Sequence, residues 1–254
     1  MGDIGRKSWD STTLQQLGKM KIYYRFSFRL NPDHNGNPRT PPDRPEWFDK
    51  WKCLANFTNV FSQHDITIQA ENVDDQVWEK LNNLYPNLDL RRTSHGTSGW
   101  AYLSSLKEVL EMNLDPNTIV YFVEDDYVHH EGSDIILEQG LGLCQYVSLY
   151  DHPDKYWGEN FSRPSLIFMS PDVHWRTVPS TTLTFASRIS TLIEDRDIFY
   201  KWCDSHGWMH DNQLFTELTT NKLLITPVPG YATHCDTWVI GKMVDWQAVL
   251  TRTT

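Results

Sequence analysis

The sequence predicts an α/β sandwich with a largely parallel central sheet, and three observations carry that prediction. The run Ile119-Val120-Tyr121-Phe122-Val123 is continuously apolar and rich in β-branched and aromatic residues, the pattern of a strand buried on both faces. Candidate strands and amphipathic helices alternate through the first half of the chain, which favours parallel strands joined by helical crossovers. The apolar run also ends in three consecutive carboxylates, Glu124-Asp125-Asp126, and sites in such sheets lie at the carboxyl ends of the strands.

The elements follow in order. Met20 to Phe28 reads as the opening strand, and the Pro-, Asn-, Asp- and Gly-rich stretch from Asn31 to Pro45 as a loop at the sheet edge. Trp47, Trp51, Leu54, Phe57, Val60 and Phe61 recur at helical spacing. A second strand, Ile66 to Ala70, precedes the helix-start signal Asn72-Val73-Asp74-Asp75 and a short helix from Gln76 to Leu84. Leu88 to Arg92 leads into the small polar loop Thr93 to Gly99, behind which Tyr102, Leu103, Leu106, Val109 and Leu110 mark an amphipathic helix. The second half is less regular. Ile135 to Tyr150 reads as mainly helical, Leu166 to Met169 and Thr182 to Phe185 as short strands, and Pro171 to Pro179 as the connection between them. Helices are expected over Ala186 to Trp202 and Asn212 to Thr220, and a last strand over Leu223 to Pro227. The tail from Val244 either packs or frays.

Bulk properties narrow the function classes. With 33 acids against 23 bases, the formal charge of −10 argues against a surface that tracks nucleic acid. The opening Met1 to Lys7 lacks the apolar core of a signal peptide, and no stretch approaches the roughly 20 apolar residues of a membrane span, so a soluble, cytoplasmic protein is expected. Cys53, Cys144, Cys203 and Cys235 form no CxxC pair and are expected to be reduced. Asn56-Phe57-Thr58 and Asn160-Phe161-Ser162 match the glycosylation sequon, and without a secretory signal both are read as chance.

Three adjacent carboxylates at the end of a buried strand need a compensating cation, because like charges side by side in a partly desolvated setting are costly. Oxygen ligands favour Mg²⁺ or Mn²⁺, which commonly take one or two protein carboxylates and leave the remaining positions to water and phosphate. Acidic triplets also occur as solvated loops or helix caps, and metal binding is the favoured reading of this one.

With this motif in place, the layout of residues 20 to 235 resembles the GT-A family of nucleotide-sugar-dependent glycosyltransferases. In that family a DxD-type motif at the end of a core strand holds Mn²⁺ or Mg²⁺ against the donor diphosphate, and Glu124-Asp125-Asp126 looks like a variant with Glu in the first place. The resemblance implies a GT-A-like, Rossmann-like three-layer α/β sandwich in one domain over 1–254. A nucleotide-binding half would span about 20–126 and an acceptor-binding half about 127–240. It implies Asp126 as direct metal ligand, Glu124 toward the donor ribose or a metal-bound water, and Asp125 in support. His234 resembles the C-terminal histidine that completes the metal site.

Asp211, in Met209-His210-Asp211-Asn212-Gln213, resembles the base that deprotonates the acceptor hydroxyl, and is also readable as a simple helix cap. Ser94, Gly96 and Gly99 lie where the family passes its chain beneath the nucleotide, with Arg91 and Arg92 just upstream as possible partners of the diphosphate. Ser170 to Thr184, with Trp175 and Thr181, together with Trp208 and His210, is the expected sugar and acceptor pocket.

The expected activity is therefore metal-dependent transfer of a sugar from a nucleoside diphosphate donor to a carbohydrate or other hydroxyl acceptor. The competing readings are a nucleotidyltransferase acting on a sugar phosphate, and a non-catalytic calcium-dependent carbohydrate-binding protein. The first wants a Gly-rich basic loop after the opening strand, of which Arg29 to Asn37 is a poor version, and the second is ordinarily all-β. Which nucleotide, sugar and acceptor are used, and whether configuration is inverted or retained, is left open by spacing alone.

Overall fold

A computed structural model describes residues 18–27, 43–157 and 164–254. Met1 to Lys7, Arg29 to Asn37, most of the loop from Asn31 and the sequon at Asn160 lie outside the described residues.

The strands are β1 (Lys21–Ser27), β2 (Asp65–Glu71), β3 (Asp89–Thr93), β4 (Ile119–Glu124), β5 (Tyr127–His129), β6 (Tyr146–Val147), β7 (Ile167–Met169), β8 (His174–Thr177), β9 (Phe185–Arg188), β10 (Leu224–Val228) and β11 (Ala232–His234). The helices are α1 (Lys50–Val60), α2 (Asp75–Leu84), α3 (Ser98–Glu111), α4 (Ser133–Leu141), α5 (Ile189–Lys201), α6 (Asp211–Leu218) and α7 (Trp246–Thr253). A nine-stranded sheet runs in the order β3-β2-β1-β4-β9-β6-β10-β8-β7, and β11 pairs with β5 in a separate two-stranded sheet. β3, β2, β1 and β4 form one parallel block and β6 with β10 a second parallel pair, with β8 and β9 running against the rest. This is the mostly parallel α/β sandwich expected from the sequence.

Alternation along the strands builds the two outer layers. Ile22, Tyr24 and Phe26 of β1 join Tyr121 and Val123 of β4 on one face, packed by Leu54 and Phe57 of α1, Phe61 just after it, Leu81 of α2 and Leu137 of α4. Tyr23, Val120 and Phe122 point the other way, onto Leu103 and Leu106 of α3, Leu192 and Phe199 of α5, and Phe215 of α6. Successive residues of one strand thus feed opposite helical layers, which is why these strands read as unbroken apolar runs.

The helix starts follow capping chemistry. The Asp49 side chain accepts from the amides of Trp51 and Lys52, Asp74 from Val77, and Thr97 from Trp100.

After β4 the chain turns at Asp125-Asp126, and β5 leaves the main sheet to pair with β11. Several local expectations are corrected. Within Ile135 to Tyr150 the helix ends at Leu141 and the two-residue strand β6 follows, too short for any periodicity to show. The expected connection Pro171 to Pro179 contains β8, an interior strand between β10 and β7. The strand expected over Thr182 to Phe185 begins at Phe185 and takes the first residues expected to be helical. The tail forms α7, whose Trp246, Val249 and Leu250 pack with Cys53 of α1 and Val128 of β5. Asn56 is fully buried, its amide donating to the His129 carbonyl at 2.8 Å, so its sequon lies inside the fold. The four cysteines are free thiols, and among the described residues no helix is long and apolar enough to cross a membrane.

Candidate active site

The site forms where β4 stops. Its three carboxylates diverge, and each meets a different base brought in by a different segment. Arg25, beside Glu124 in the register of β1 and β4, donates from Nη2 to Glu124 Oε1 at 2.7 Å. Lys50, the first residue of α1, approaches Asp125 Oδ2 at 2.9 Å, and the Ser27 amide donates to the same oxygen at 2.6 Å. Arg44 donates from Nη2 to Asp126 Oδ2 at 2.7 Å and from Nη1 to the Cys235 carbonyl at 2.6 Å. Sequence reasoning anticipated the need for a compensating cation and missed these three bases. They stand 99, 75 and 82 positions from their partners, with no local signal to mark them. Asp125 is therefore turned toward the β1 and α1 corner, while Glu124 faces Arg25 and Asp126 faces Arg44.

His234 is brought to the motif by the small sheet. Pairing of β11 with β5 sets His234 opposite Tyr127, and its Nε2 lies 2.9 Å from Asp126 Oδ2. Burial on its own would raise the Asp126 carboxyl, but His234 and Arg44 hold it well below the usual carboxylate range. Burial likewise works to lower His234, and Asp126 overcomes it, leaving the imidazole above its ordinary value. Glu124 is raised by burial, with Arg25 opposing and Asp126 reinforcing, and Asp211 is close enough to add to the rise.

A dication of the Mn²⁺ or Mg²⁺ type would meet two donors here, Asp126 and His234. Asp126 Oδ1 is buried and has no hydrogen-bond partner. The 2.9 Å between Asp126 Oδ2 and His234 Nε2 is a hydrogen-bond distance, and a dication held by the pair would take the place of the proton they share. Among the described residues no group of three His, Cys, Asp or Glu is arranged to hold an ion, so the protein would supply two ligands and the remaining positions would fall to water and phosphate.

Asp211 begins α6, its carboxylate accepting from the Asn212 amide at 2.7 Å. Burial raises its pKa, opposed by that amide and by the positive potential of His210 and His152. The segment reaching it is anchored by close backbone packing: a side chain on Gly99 would run into the Gly207 carbonyl, and Thr97 Oγ1 donates to that carbonyl at 2.7 Å. Gly99 thus serves helix packing, where a ligand contact was expected.

The Ser94 to Gly96 loop hangs on Glu71, a buried acid at the end of β2 that sequence reasoning missed. Glu71 accepts from Thr93 Oγ1 at 2.8 Å, from the Gly96 amide at 3.1 Å and from the His95 amide, and meets His95 Nδ1 at 2.8 Å. Gly96 has φ +86°, so its glycine is required by the left-handed backbone. Ser94 donates to Asn72 Oδ1, and Arg92 pairs with Asp75 at 2.7 Å and donates to the Val73 carbonyl at 3.0 Å. Arg92, Thr93, Ser94, Asn72 and Val73 line an open recess of about 370 Å³ at the carboxyl ends of β2 and β3. Arg91 is committed to Asp89 and Glu108.

The expected sugar pocket needs the largest correction. Trp175 is fully buried in β8, its indole donating to Ser170 Oγ at 2.9 Å, and cannot stack on a sugar. Trp208 is 9% exposed, and its amide donates to Asp204 Oδ1 at 3.0 Å. His210 is exposed and lies 3.4 Å from Asp204. Thr181 donates to Ser148 Oγ at 2.9 Å. Its neighbours do reach the motif: Thr184 Oγ1 accepts from the Glu124 amide at 3.1 Å, and Thr182 Oγ1 lies 2.8 Å from the Tyr127 hydroxyl.

No family model and no curated protein sequence matches the chain. Among solved structures, the 4-diphosphocytidyl-2C-methyl-D-erythritol synthase of Anaerococcus prevotii is 12% identical with a TM-score of 0.47, covering 92% of this chain and 94% of its own. A cytidylyltransferase from Leptospira borgpetersenii is 12% identical with a TM-score of 0.48, over 90% and 83%. Residues 1–349 of S. aureus TarS in complex with UDP-GlcNAc are 14% identical with a TM-score of 0.43, over 82% and 56%. None of the three assigns an activity or a substrate to this chain.

Proposed function

We propose that this chain is a metal-dependent glycosyltransferase that moves a sugar from a nucleoside diphosphate donor to a hydroxyl acceptor. One observation carries the reading. Asp126 and His234, 108 positions apart, meet at 2.9 Å at the carboxyl end of a core strand, while the second oxygen of Asp126 stays buried and unpartnered.

Asp126 and His234 would hold Mn²⁺ or Mg²⁺, whose chemistry at this position is to neutralise charge on a departing diphosphate. Arg25 orients Glu124 and favours its ionised form against the burial that raises its pKa, within reach of a donor ribose. Ser94, Arg92 and Gly96 flank the recess suited to the nucleotide. Where the reaction inverts the anomeric carbon, Asp211 takes the acceptor proton as the acceptor oxygen bonds to that carbon and the bond to the diphosphate breaks. Its partial burial favours proton uptake at that moment.

The test is a panel of nucleoside diphosphate sugars and nucleoside triphosphates, scored by thermal shift with and without Mn²⁺ and then by product release. A bound substrate raises stability by mass action. The expected result is a Mn²⁺-dependent shift with a diphosphate sugar, release of nucleoside diphosphate, and loss of both in Asp126→Ala. Release of pyrophosphate from a triphosphate in the presence of a sugar phosphate would replace sugar transfer with nucleotidyl transfer. Unchanged turnover in Asp126→Ala would refute the metal assignment under either reading.

A further inference from the structure

A cavity of about 280 Å³ lies beyond the acid cluster, and the chemistry described so far does not use it. Its walls are mainly apolar or aromatic, with Tyr156, Trp157, Val228, Met243, Val244 and Trp246 among them, and Lys242 and Asp151 are the charged residues that also border it. The carboxylate that also borders it, Asp151, is already engaged: Oδ1 accepts from Arg176 at 2.6 Å and Oδ2 from the Tyr156 hydroxyl at 2.5 Å, with the Arg176 guanidinium 4.1 Å from the Tyr156 ring centre. Both oxygens are spent on that pair, so the wall offers an occupant surface more than hydrogen bonds. A cavity of about 150 Å³ is enough to hold benzene, which makes this one large enough for a bicyclic ring or a short alkyl chain.

Two chain connections place the cavity beside the reacting groups. Ala232, which lines it, lies two residues before His234 on β11, so both side chains leave the same face of that strand. On another side, Asp151, Pro153 and Tyr156 come from the loop that also carries His152, whose charge is felt by Asp211. The mouth is marked by apolar side chains left in water, Trp157 at 52% and Met243 at 76% exposure. Exposed apolar surface of this kind, around an apolar cavity and next to a polar centre, fits a ligand with one polar and one apolar end.

We propose that this cavity binds an apolar ring or short alkyl group of the acceptor, whose hydroxyl then lies at the acid cluster. The acceptor is thus an amphipathic alcohol or an aglycone-bearing glycoside, a narrower class than the hydroxyl acceptor on which this inference rests.

The probe is 2-naphthol, titrated calorimetrically into the full chain without donor or metal, with glucose as the polar control. Saturable 2-naphthol binding with a negative heat-capacity change, no glucose binding, and at least tenfold weaker binding in Met243→Glu are expected. Met243 is largely exposed, so that variant should keep its fold, checked by its melting temperature, and Val244→Asp supplies a second change in the wall. No binding, equal glucose binding, or affinity unchanged in both variants would overturn the proposal. Proximity is read separately. Mn²⁺ held at Asp126 should broaden the proton resonances of bound 2-naphthol, and Mn²⁺ bound by wild-type protein without such broadening would also overturn it. Naphthol binding in a protein that takes up no Mn²⁺ would leave the cavity standing and refute the metal site alone.

Discussion

Arg44 and His234 share one oxygen of Asp126, at 2.7 and 2.9 Å, while the other oxygen of that carboxylate is buried without a partner. Asp126 is therefore a carboxylate with one side closed by a fixed cation and one side open. The arrangement makes Arg44 a competitor of any dication that needs both oxygens, since two positive charges a few ångströms apart repel strongly at low dielectric.

Arg44→Ala should accordingly raise the affinity of the site for Mn²⁺, by roughly tenfold if the competition amounts to about 1.4 kcal/mol. Without metal the same variant should be less stable by about 1–3 kcal/mol, because Asp126 loses a partner in a partly buried pair. Manganese electron paramagnetic resonance and urea unfolding measure the two effects. Weaker Mn²⁺ binding in Arg44→Ala would show that Arg44 supports the ion.

How far these relationships were readable in the sequence depends on their range. The acidic triplet at the end of a core strand, the alternation of strands and helices, and the helix start at Asp74 are local patterns, and the structure reproduces them. His234 could be singled out because it follows the last long strand, yet its 2.9 Å approach to Asp126 depends on β11 pairing with β5, a contact across about a hundred residues. Arg25, Lys50, Arg44 and Glu71 carry no periodicity or spacing that marks them, since charged residues at strand ends and helix starts are common everywhere. Trp175 misled because polar neighbours suggested a loop, whereas β8 lies between two strands and is covered on both sides. Short strands such as β6 are fixed by their neighbours in the sheet and leave little imprint on sequence.

Asp211 supplies a pH prediction. Burial sets its pKa above the ordinary carboxylate value, and His152 pulls it back. A base must be ionised to act, so kcat/KM should rise as pH increases through the pKa of Asp211 and then level off. Asp211→Asn should remove that limb and cost about 10²–10⁴-fold in kcat/KM. His152→Gln withdraws a favourable charge from the carboxylate, which should move the limb to higher pH. A limb that stays in place in His152→Gln would separate His152 from the base, and one that survives in Asp211→Asn would belong to another group.

His129 should govern part of the acid sensitivity of the fold. It is fully buried among Phe57, Phe61 and Tyr121, with Nε2 2.8 Å from the Tyr121 hydroxyl and Nδ1 unpartnered. Burial lowers its pKa from 6.5 to about 3. Below pH 6.5 the unfolded chain takes up a proton that the folded chain refuses, so stability falls with pH until the folded ring protonates near pH 3. Between pH 7 and 4.5 this group alone should cost on the order of 2–3 kcal/mol. His129→Phe should flatten the pH dependence of urea unfolding by that amount over the interval, whatever its stability at pH 7. Equal slopes in the two proteins would show that the buried ring titrates normally.

Gly207 links the fold to the base. Its φ is +81°, and a Cβ there would enter the space of the Trp100 indole and of Thr97 Oγ1, at the start of α3. Gly207→Ala should therefore lose about 1 kcal/mol to backbone strain and a further ~1–3 kcal/mol to overpacking. Because the turn holding Gly207 leads directly into Asp211, kcat should fall along with the melting temperature. The two contributions separate in a double-mutant cycle. Trp100→Ala removes the indole, so it should rescue the indole's share of the packing defect in Gly207→Ala and leave the Thr97 contact and the backbone strain. Strict additivity of the two substitutions would mean that the indole and the turn do not press on one another. The close approach of α3 to the Asp211 segment would then have to rest on Gly99 and the Thr97 hydrogen bond alone.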